Sequence, residues 1–156
     1  MTDLDTVLLD SGLAGITFGC SSGIVLRMLG EPDSHETDDE GDEILEYEEL
    51  GLTVTFWADF HDGLGFIGTE RPSARLLGRQ LVGQTEELVK TFIKNEIGAA
   101  ITEEDGCVHE DGCVQIWIEV DSRHITFWFH DGQLYLIEWS CKWVGDSPAW
   151  YAPVEV

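Results

Sequence analysis

The chain has 156 residues, of which 43% are hydrophobic, and this is enough for one folded domain with a buried core. Its 31 acidic and 8 basic residues give a formal net charge of −23. This charge opposes binding to nucleic acid or to an anionic membrane, and it favours a cationic partner. The composition therefore predicts neither a nucleic-acid nor a membrane partner.

The cysteines and the start of the chain indicate a compartment. The opening MTDLDTVLLDSG is acidic and lacks the basic flank and apolar core of a secretory signal. No apolar run approaches the roughly 20 residues of a membrane span. Four cysteines are too few for a disulfide scaffold of this size. We therefore expect a cytoplasmic protein with reduced thiols.

The first half of the chain predicts a helix followed by strands. In GCSSGIVLRML (19–29) Ser21 or Ser22 can cap a helix, and Gly30 ends it before a proline. The acidic EPDSHETDDEGDE (31–43) reads as a connection. Alternating patterns then predict strands, which are separated by Gly51 and by the HDG at 61–63: 44–48, 52–57 and 64–68.

The second half has the same order of features. Thr85 can cap a helix in GQTEELVKTFI (83–93), Glu86 and Glu87 suit its positive end, and Gly98 ends it. The acidic EDGCVHEDGCV (104–114) reads as the next connection. Strands follow, with turns at 121–122 and at the HDG of 130–132: 114–120, 123–129 and 134–139.

The two halves also share a longer motif. VTFWADFHDGLGFI (54–67) and ITFWFHDGQLYLI (125–137) both carry TFW, then HDG, then an apolar strand. We interpret residues 1–156 as one domain with internal repeats at 13–70 and 74–140 and a C-terminal extension at 141–156. The predicted fold class is α+β, in which two tandem α-β-β-β repeats form one antiparallel sheet with both helices on one face.

The two faces of the predicted sheet differ in composition. One alternation phase is apolar and should face the helices: Val54, Phe56, Ile116, Ile118, Val120, Ile125, Phe127 and Phe129. The other phase carries Trp57, Trp117 and Trp128 among polar residues that include Glu119 and His124. Tryptophan is enriched at binding hot spots, so we interpret this second face as a binding surface. The alternative is that residues 142–156 fold over it.

The repeated cysteines offer a metal-binding alternative. Cys107, His109 and Cys113 supply three zinc ligand types, with Cys141 or His124 as a fourth, but the spacing is not that of a common zinc finger. The loop at 36–43 resembles a calcium loop, but its twelfth position is Tyr47 where a bidentate glutamate is required. The sequence therefore predicts no metal and no cofactor.

The histidines offer an enzymatic alternative. His61, His124 and His130 lie near carboxylates, but Asp-Gly is a strong hairpin signal, so both HDG tripeptides are interpreted as turns. No nucleophile elbow, phosphate loop or HExxH motif occurs. We therefore expect no catalytic activity.

The motifs also support a family resemblance. GCSSGIVLRMLGEPD (19–33) and GQTEELVKTFI (83–93), each opening a helix-plus-meander unit, resemble the β-lactamase inhibitory proteins and the small lipoproteins of the outer-membrane assembly machinery. The resemblance implies a sheet whose open face grips another protein. In charge and size the chain also resembles immunity proteins of bacterial toxin systems.

The sequence thus predicts a non-enzymatic acidic binding protein, an immunity protein or inhibitor that occludes a basic protein such as a nuclease toxin. The tryptophans, Glu119 and His124 would anchor the partner, and two acidic loops at 36–43 and 103–111 would attract it. The acidic residues assigned to these loops are Asp38, Asp39, Glu40, Asp42, Glu103, Glu104 and Asp105. The alternative is a metal-binding or regulatory domain that uses the acidic loops with Cys107, His109 and Cys113.

Overall fold

The structure of the protein is a computed structural model, and it describes residues 3–151. Strands dominate it. In chain order the elements are β1 Thr6–Leu8, β2 Gly12–Leu13, β3 Ile16–Thr17, α1 Ser22–Leu29, β4 Ser34–Thr37, β5 Glu43–Tyr47, β6 Leu52–Trp57, β7 Gly63–Thr69, β8 Arg75–Leu76, β9 Arg79–Gln80, α2 Glu86–Phe92, β10 Glu103–Val108, β11 Val114–Val120, β12 Ile125–His130, β13 Gln133–Ser140, β14 Trp143–Val144 and β15 Ser147–Pro148.

Eight strands form one large antiparallel sheet in the order β10-β11-β12-β13-β7-β6-β5-β4. Each half of it is a four-stranded meander. The halves meet where β13 pairs with β7, with Trp139 opposite Ile67 and Glu138 opposite Gly68. β4 and β10 are the edge strands.

One face of the large sheet packs against the helices and forms most of the buried core. Its side chains join Val25 of α1 and Val89 of α2 in a single buried cluster. A second sheet of five short strands, ordered β3-β2-β1-β8-β9, adds Leu13, Ile16 and Leu76 to the same cluster. The apolar alternation phase is buried as predicted except for Ile116, which is half-buried because it lies near the edge strand β10.

The predicted α+β class with two tandem α-β-β-β repeats is wrong. The molecule is mostly β, with 45% of residues in strands and 17% in helices. Each half of the large sheet has a fourth strand, β4 or β10, inside a segment that was interpreted as an acidic connection. The five-stranded sheet was not predicted either, because its strands are too short to show an alternation.

The helices are short, and they contribute unequally to the core. The second helix and the π-helical turn after it bury Val89, Phe92, Ile93 and Ile97. In α1 only Val25 is buried, whereas Ile24 and Met28 are 37% and 40% exposed. In α2 the hydroxyl of Thr85 accepts the N–H of Leu88 at 3.3 Å, which is the predicted N-cap. No helix among residues 3–151 has the length and apolar character needed to cross a membrane.

Candidate functional site: an acidic tryptophan face

The face of the large sheet turned away from the core is here called the open face. Alternation places on it Thr53 and Thr55 of β6, Gln115 and Trp117 of β11, and Thr126 and Trp128 of β12, all half-buried. These side chains stand next to one another because β6, β7, β13, β12 and β11 are neighbours in the sheet.

Strand register aligns four glutamates in one row across the open face. Glu46 pairs with Thr53, Thr53 with Gly68, and Gly68 with Glu138. The row continues from Glu138 through Thr126 to Glu119 and then to Glu103. We call Glu46, Glu138, Glu119 and Glu103 the acidic row. Only register can reveal it, since these residues lie on four different strands.

A pair of tryptophans lies beside the acidic row. Trp117 and Trp128 are direct neighbours on β11 and β12, with ring centroids 5.4 Å apart and an interplanar angle of 38°. Both are half-buried and rest against the sheet, so their outer surfaces can receive a ligand. Such a pair presents a large apolar area with few torsions to fix on binding.

Glu138 occupies the centre of the acidic row in an unfavourable position for a charge. It lies over Gly68, and a methyl group at that glycine would approach Glu138 Cγ at 3.5 Å. Burial raises the pKa of the Glu138 carboxyl, an effect that the neighbouring indole N–H of Trp128 only partly opposes. That buried N–H has no well-aligned acceptor. The indole N–H is thus buried away from solvent, and the charge of the Glu138 carboxyl is only weakly compensated.

Carboxylates also line a groove of about 340 Å³ around Glu138. Its walls include Glu46, Glu48 and Glu70, and part of its apolar surface comes from Leu136. At the far end of the acidic row, desolvation and then the nearby charges of Glu103 and Asp121 raise the pKa of Glu119. The open face thus concentrates negative charge without compensating for it.

Basic side chains are missing from this part of the molecule. Within the eight strands of the large sheet, as described, there is no lysine and no arginine. The ion pairs found among residues 3–151 include no member of the acidic row. Lys90, for example, reaches Glu86 and Glu104 on the helical side. A cation for the acidic row must come from another molecule.

Trp57, the third tryptophan predicted to anchor the partner, does not lie beside the Trp117–Trp128 pair. Its ring is 5.5 Å from that of Trp143 and 6.1 Å from that of Phe60. Trp143 also packs edge-on to Phe60 at 5.5 Å, and Tyr151 does so at 5.1 Å. The C-terminal segment therefore covers Trp57, as the alternative interpretation expected, and leaves the Trp117–Trp128 pair uncovered by these contacts.

His124 also lies away from the tryptophan pair. It ends a 3-10 turn over Asp121–Arg123 with a positive φ of 53°, and its carbonyl accepts the N–H of Ser140 at 3.0 Å. His124 therefore lies at the end of the sheet, whereas the sequence predicted it inside a strand. Glu119 lies in the acidic row next to Thr126.

The acidic segment at 36–43 includes the hairpin turn between β4 and β5. Asp38 Oδ1 accepts the N–H groups of Glu40 and Asp42, each at 2.9 Å, and Asp42 Oδ1 accepts that of Ala58 at 2.9 Å. Asp38 and Asp42 therefore hold the turn in place. Asp39 and Glu40 are exposed and remain free to attract a partner.

The acidic segment at 103–111 is mostly strand, not the predicted loop. Glu103, Glu104 and Asp105 belong to β10 and pair with Glu119, Ile118 and Trp117. Alternation puts Glu103 and Asp105 on the open face, whereas Glu104 points to the helical side and binds Lys90 at 2.6 Å. The lysine lowers the pKa of the Glu104 carboxyl.

The three candidate ligands of the metal-binding alternative, Cys107, His109 and Cys113, do not form one group. Cys107 Sγ lies 3.9 Å from His109 Nε2, whereas Cys113 Sγ lies 2.6 Å from Nε2 of His130. His130 was predicted to lie in a turn and was a candidate in the enzymatic alternative, but it was not among the predicted candidates for metal binding. Asp131 and Gly132 do form the predicted turn, with positive φ values of 49° and 85°. His130 itself ends β12, and this brings its ring to Cys113.

Comparisons with known proteins add a distant structural likeness. No protein-family model matches the chain, and no curated protein matches it. Among solved structures, it is similar to an extracellular protein containing a SCP domain from Bacillus anthracis str. Ames, at 14% identity and a TM-score of 0.49. The match covers 91% of this chain and 48% of that one, so the chain spans about half the length of this structure.

Proposed function

We propose that the protein is a non-enzymatic inhibitor, of the immunity-protein kind, which binds a basic protein through its open face. The single observation that carries this proposal is the acidic row beside the Trp117–Trp128 pair, in a sheet without any described lysine or arginine. The resemblance to inhibitors that grip a partner with a sheet supports the same conclusion.

The chemistry of the open face suits arginine and lysine side chains. Their cationic groups can stack on the tryptophan rings while they pair with the neighbouring carboxylates, and a desolvated cation on an aromatic ring contributes about 2 kcal/mol. A cation beside Glu138 would also offset the burial that raises its pKa.

The target that fits best is a nuclease domain. Proteins that act on nucleic acids carry clustered cations for phosphate groups, and a row of carboxylates can occupy those positions. Asp39 and Glu40 at the β4–β5 turn would add long-range attraction and speed encounter. The four free cysteines favour a reducing compartment, so we place this activity in the cytoplasm.

A catalytic role is less well supported. Desolvation and the charges of Asp131 and Asp111 raise the pKa of the Cys113 thiol. An activated cysteine nucleophile needs the opposite shift. The raised pKa of its thiol therefore disfavours Cys113 as a nucleophile, even though His130 lies beside it.

The test is capture of a partner from the native host with matched variants of the full chain. Trp128→Ala should weaken binding of a captured basic protein by about 2 kcal/mol, or roughly 30-fold. Asp39→Asn combined with Glu40→Gln should mainly slow association. Replacing Glu87 and Glu96 by glutamine on the helical side removes the same charge and should leave affinity nearly unchanged. A partner that tolerates Trp128→Ala would overturn the assignment.

A further inference from the structure

A second group of side chains converges at one corner of the large sheet, away from the acidic row. Cys113 precedes β11, His130 ends β12, and Asp131 opens the turn that follows. Cys113 Sγ lies 2.6 Å from His130 Nε2, and one ligand atom from each of the three residues lies within 4.8 Å of the others. Three elements thus bring a thiol, an imidazole and a carboxylate to one point.

Backbone contacts hold this corner in place. Asp131 Oδ1 accepts the N–H of Val114 at 2.9 Å, and the N–H of Asp131 donates to the carbonyl of Val114 at 2.8 Å. The ring of His130 packs edge-on to that of Tyr135 at 6.1 Å. Asp131 Oδ2 lies 3.8 Å from His130 Nδ1 and faces the same corner. Asp131 is therefore held through Oδ1, whereas Cys113 Sγ and His130 Nε2 contact each other and must separate to bind a ligand.

We propose that Cys113, His130 and Asp131 bind one zinc ion, with the fourth tetrahedral position taken by water. Thiolate, imidazole and carboxylate are the three side-chain donors that zinc uses in proteins. Two donors on one tetrahedral zinc stand about 3.5 Å apart, given the usual bond lengths. The Cys113–His130 contact must open by about 1 Å, which is easy because the His130 side chain is 56% exposed.

Neighbouring groups favour this set of ligands over Cys107 and His109, which lie nearer the tip of the β10–β11 hairpin. Gln115 stands between the two, since its Oε1 lies 3.0 Å from His109 Nε2 and its Nε2 donates to the Tyr135 hydroxyl at 2.7 Å. The contact with Gln115 occupies Nε2 of His109, and Cys107 is not part of the proposed site. Asp111, whose Oδ1 accepts the N–H of Cys113 at 2.9 Å, adds negative charge at this corner that attracts a divalent cation.

The test is zinc titration of the untagged, reduced full-length chain against a chromophoric chelator, together with cobalt substitution. The wild type should bind one zinc per chain, and its cobalt form should show a thiolate-to-metal absorption band. Cys113→Ser should lose that band. Asp131→Asn, which keeps the hydrogen bond to Val114, should weaken zinc binding by at least about tenfold.

Cys107→Ser is the matched control, and it should bind zinc and cobalt as the wild type does. Far-UV circular dichroism of each variant establishes that the sheet is intact. Absence of stoichiometric zinc binding by the wild type would overturn the proposal. So would loss of the cobalt band in Cys107→Ser with its retention in Cys113→Ser, because the thiolate ligand would then be Cys107, beside His109.

Discussion

At the scale of single residues, Glu138 is a carboxylate that costs stability where it stands. Its folded pKa is raised by burial, so the charged form is penalised in the folded state. The penalty is present above the folded pKa and is relieved as the pH falls through it. A residue of this kind on a solvent-facing sheet is expected at a binding site, where activity and stability compete.

Glu138→Gln should therefore stabilise the protein at neutral pH. We expect a gain of order 1 kcal/mol, the scale of one poorly compensated polar group. The gain should shrink as the pH is lowered, because Glu138 then becomes neutral in the wild type as well. Urea unfolding across a pH series measures this effect. Glu36→Gln, on the exposed edge strand β4, should change little, and an equal gain there would contradict the explanation.

Asp5 has the opposite behaviour. Its Oδ1 accepts the Nε–H of Arg71 at 2.8 Å and the hydroxyl of Ser73 at 2.6 Å. These hydrogen bonds lower the pKa of the Asp5 carboxyl, that from Arg71 most. Its stabilising contribution is therefore full above the ordinary aspartate pKa and is lost as the pH falls through the folded value.

Asp5→Asn should destabilise the protein at neutral pH by about 1–3 kcal/mol, the range for hydrogen bonds to a charged group. The difference from the wild type should close in acid, because the wild type then loses the same contribution. Thermal unfolding at several pH values tests this. An unchanged difference at low pH would show that the effect comes from packing and not from charge.

At the scale of elements, residues 143–151 of the C-terminal extension pack onto the sheet, where Trp150 lies against glycines. A methyl group at Gly63 of β7 would lie 2.5 Å from Trp150 Cη2 and 3.1 Å from the carbonyl of Gly19. The strand therefore needs a glycine there so that Trp150 can lie flat against it. Gly68 of the same strand has more room, since its nearest contact is a flexible Leu136 methyl at 3.3 Å.

Gly63→Ala should destabilise the protein by about 1–3 kcal/mol through overpacking, and it should expose Trp150 to fluorescence quenchers. Gly68→Ala is the matched control in β7, where the flexible Leu136 methyl can move aside, so we expect a cost below about 1 kcal/mol. Chemical unfolding with fluorescence detection compares them. Equal losses from both substitutions would mean that contact with Trp150 does not explain the requirement at Gly63.

The sequence predicts a strand well when alternate residues of that strand are buried, and poorly when the whole strand is exposed. The strands whose alternate residues are buried were predicted within two residues, for example 52–57 and 114–120, because one face is apolar and the other is not. β10 is exposed along its whole length and carries charge on both faces, so no alternation exists to find. The internal repetition of the two halves stays a prediction.

The candidate site was predicted in part for the same reason. The Trp117–Trp128 pair follows from alternation alone, since both residues occupy the phase opposite the core. The acidic row and the Cys113–His130 contact depend on the register between paired strands, which short motifs do not encode. The contact of Trp57 with Trp143 depends on the path of the C-terminal extension.

At the scale of the whole molecule, the net charge of −23 imposes self-repulsion on the folded chain. Glu103 and Glu119 directly oppose each other on β10 and β11, an arrangement that destabilises a sheet. Salt screens such repulsion between surface charges. Raising sodium chloride from low to physiological concentration should therefore raise the melting temperature, and potassium chloride should do the same. A fall in melting temperature would contradict this account.

The most direct test of the central claim is a comparison of charge removal on the two sides of the sheet. One variant replaces Glu119 and Glu138 by glutamine on the open face, and the other replaces Glu87 and Glu96 by glutamine in the helical segment on the opposite side. Both lose the same charge, and their affinities for the captured basic partner are measured by calorimetry. The account predicts a large loss, at least about tenfold, for the first variant only. Equal losses from both would show that net charge, and not the open face, attracts the partner.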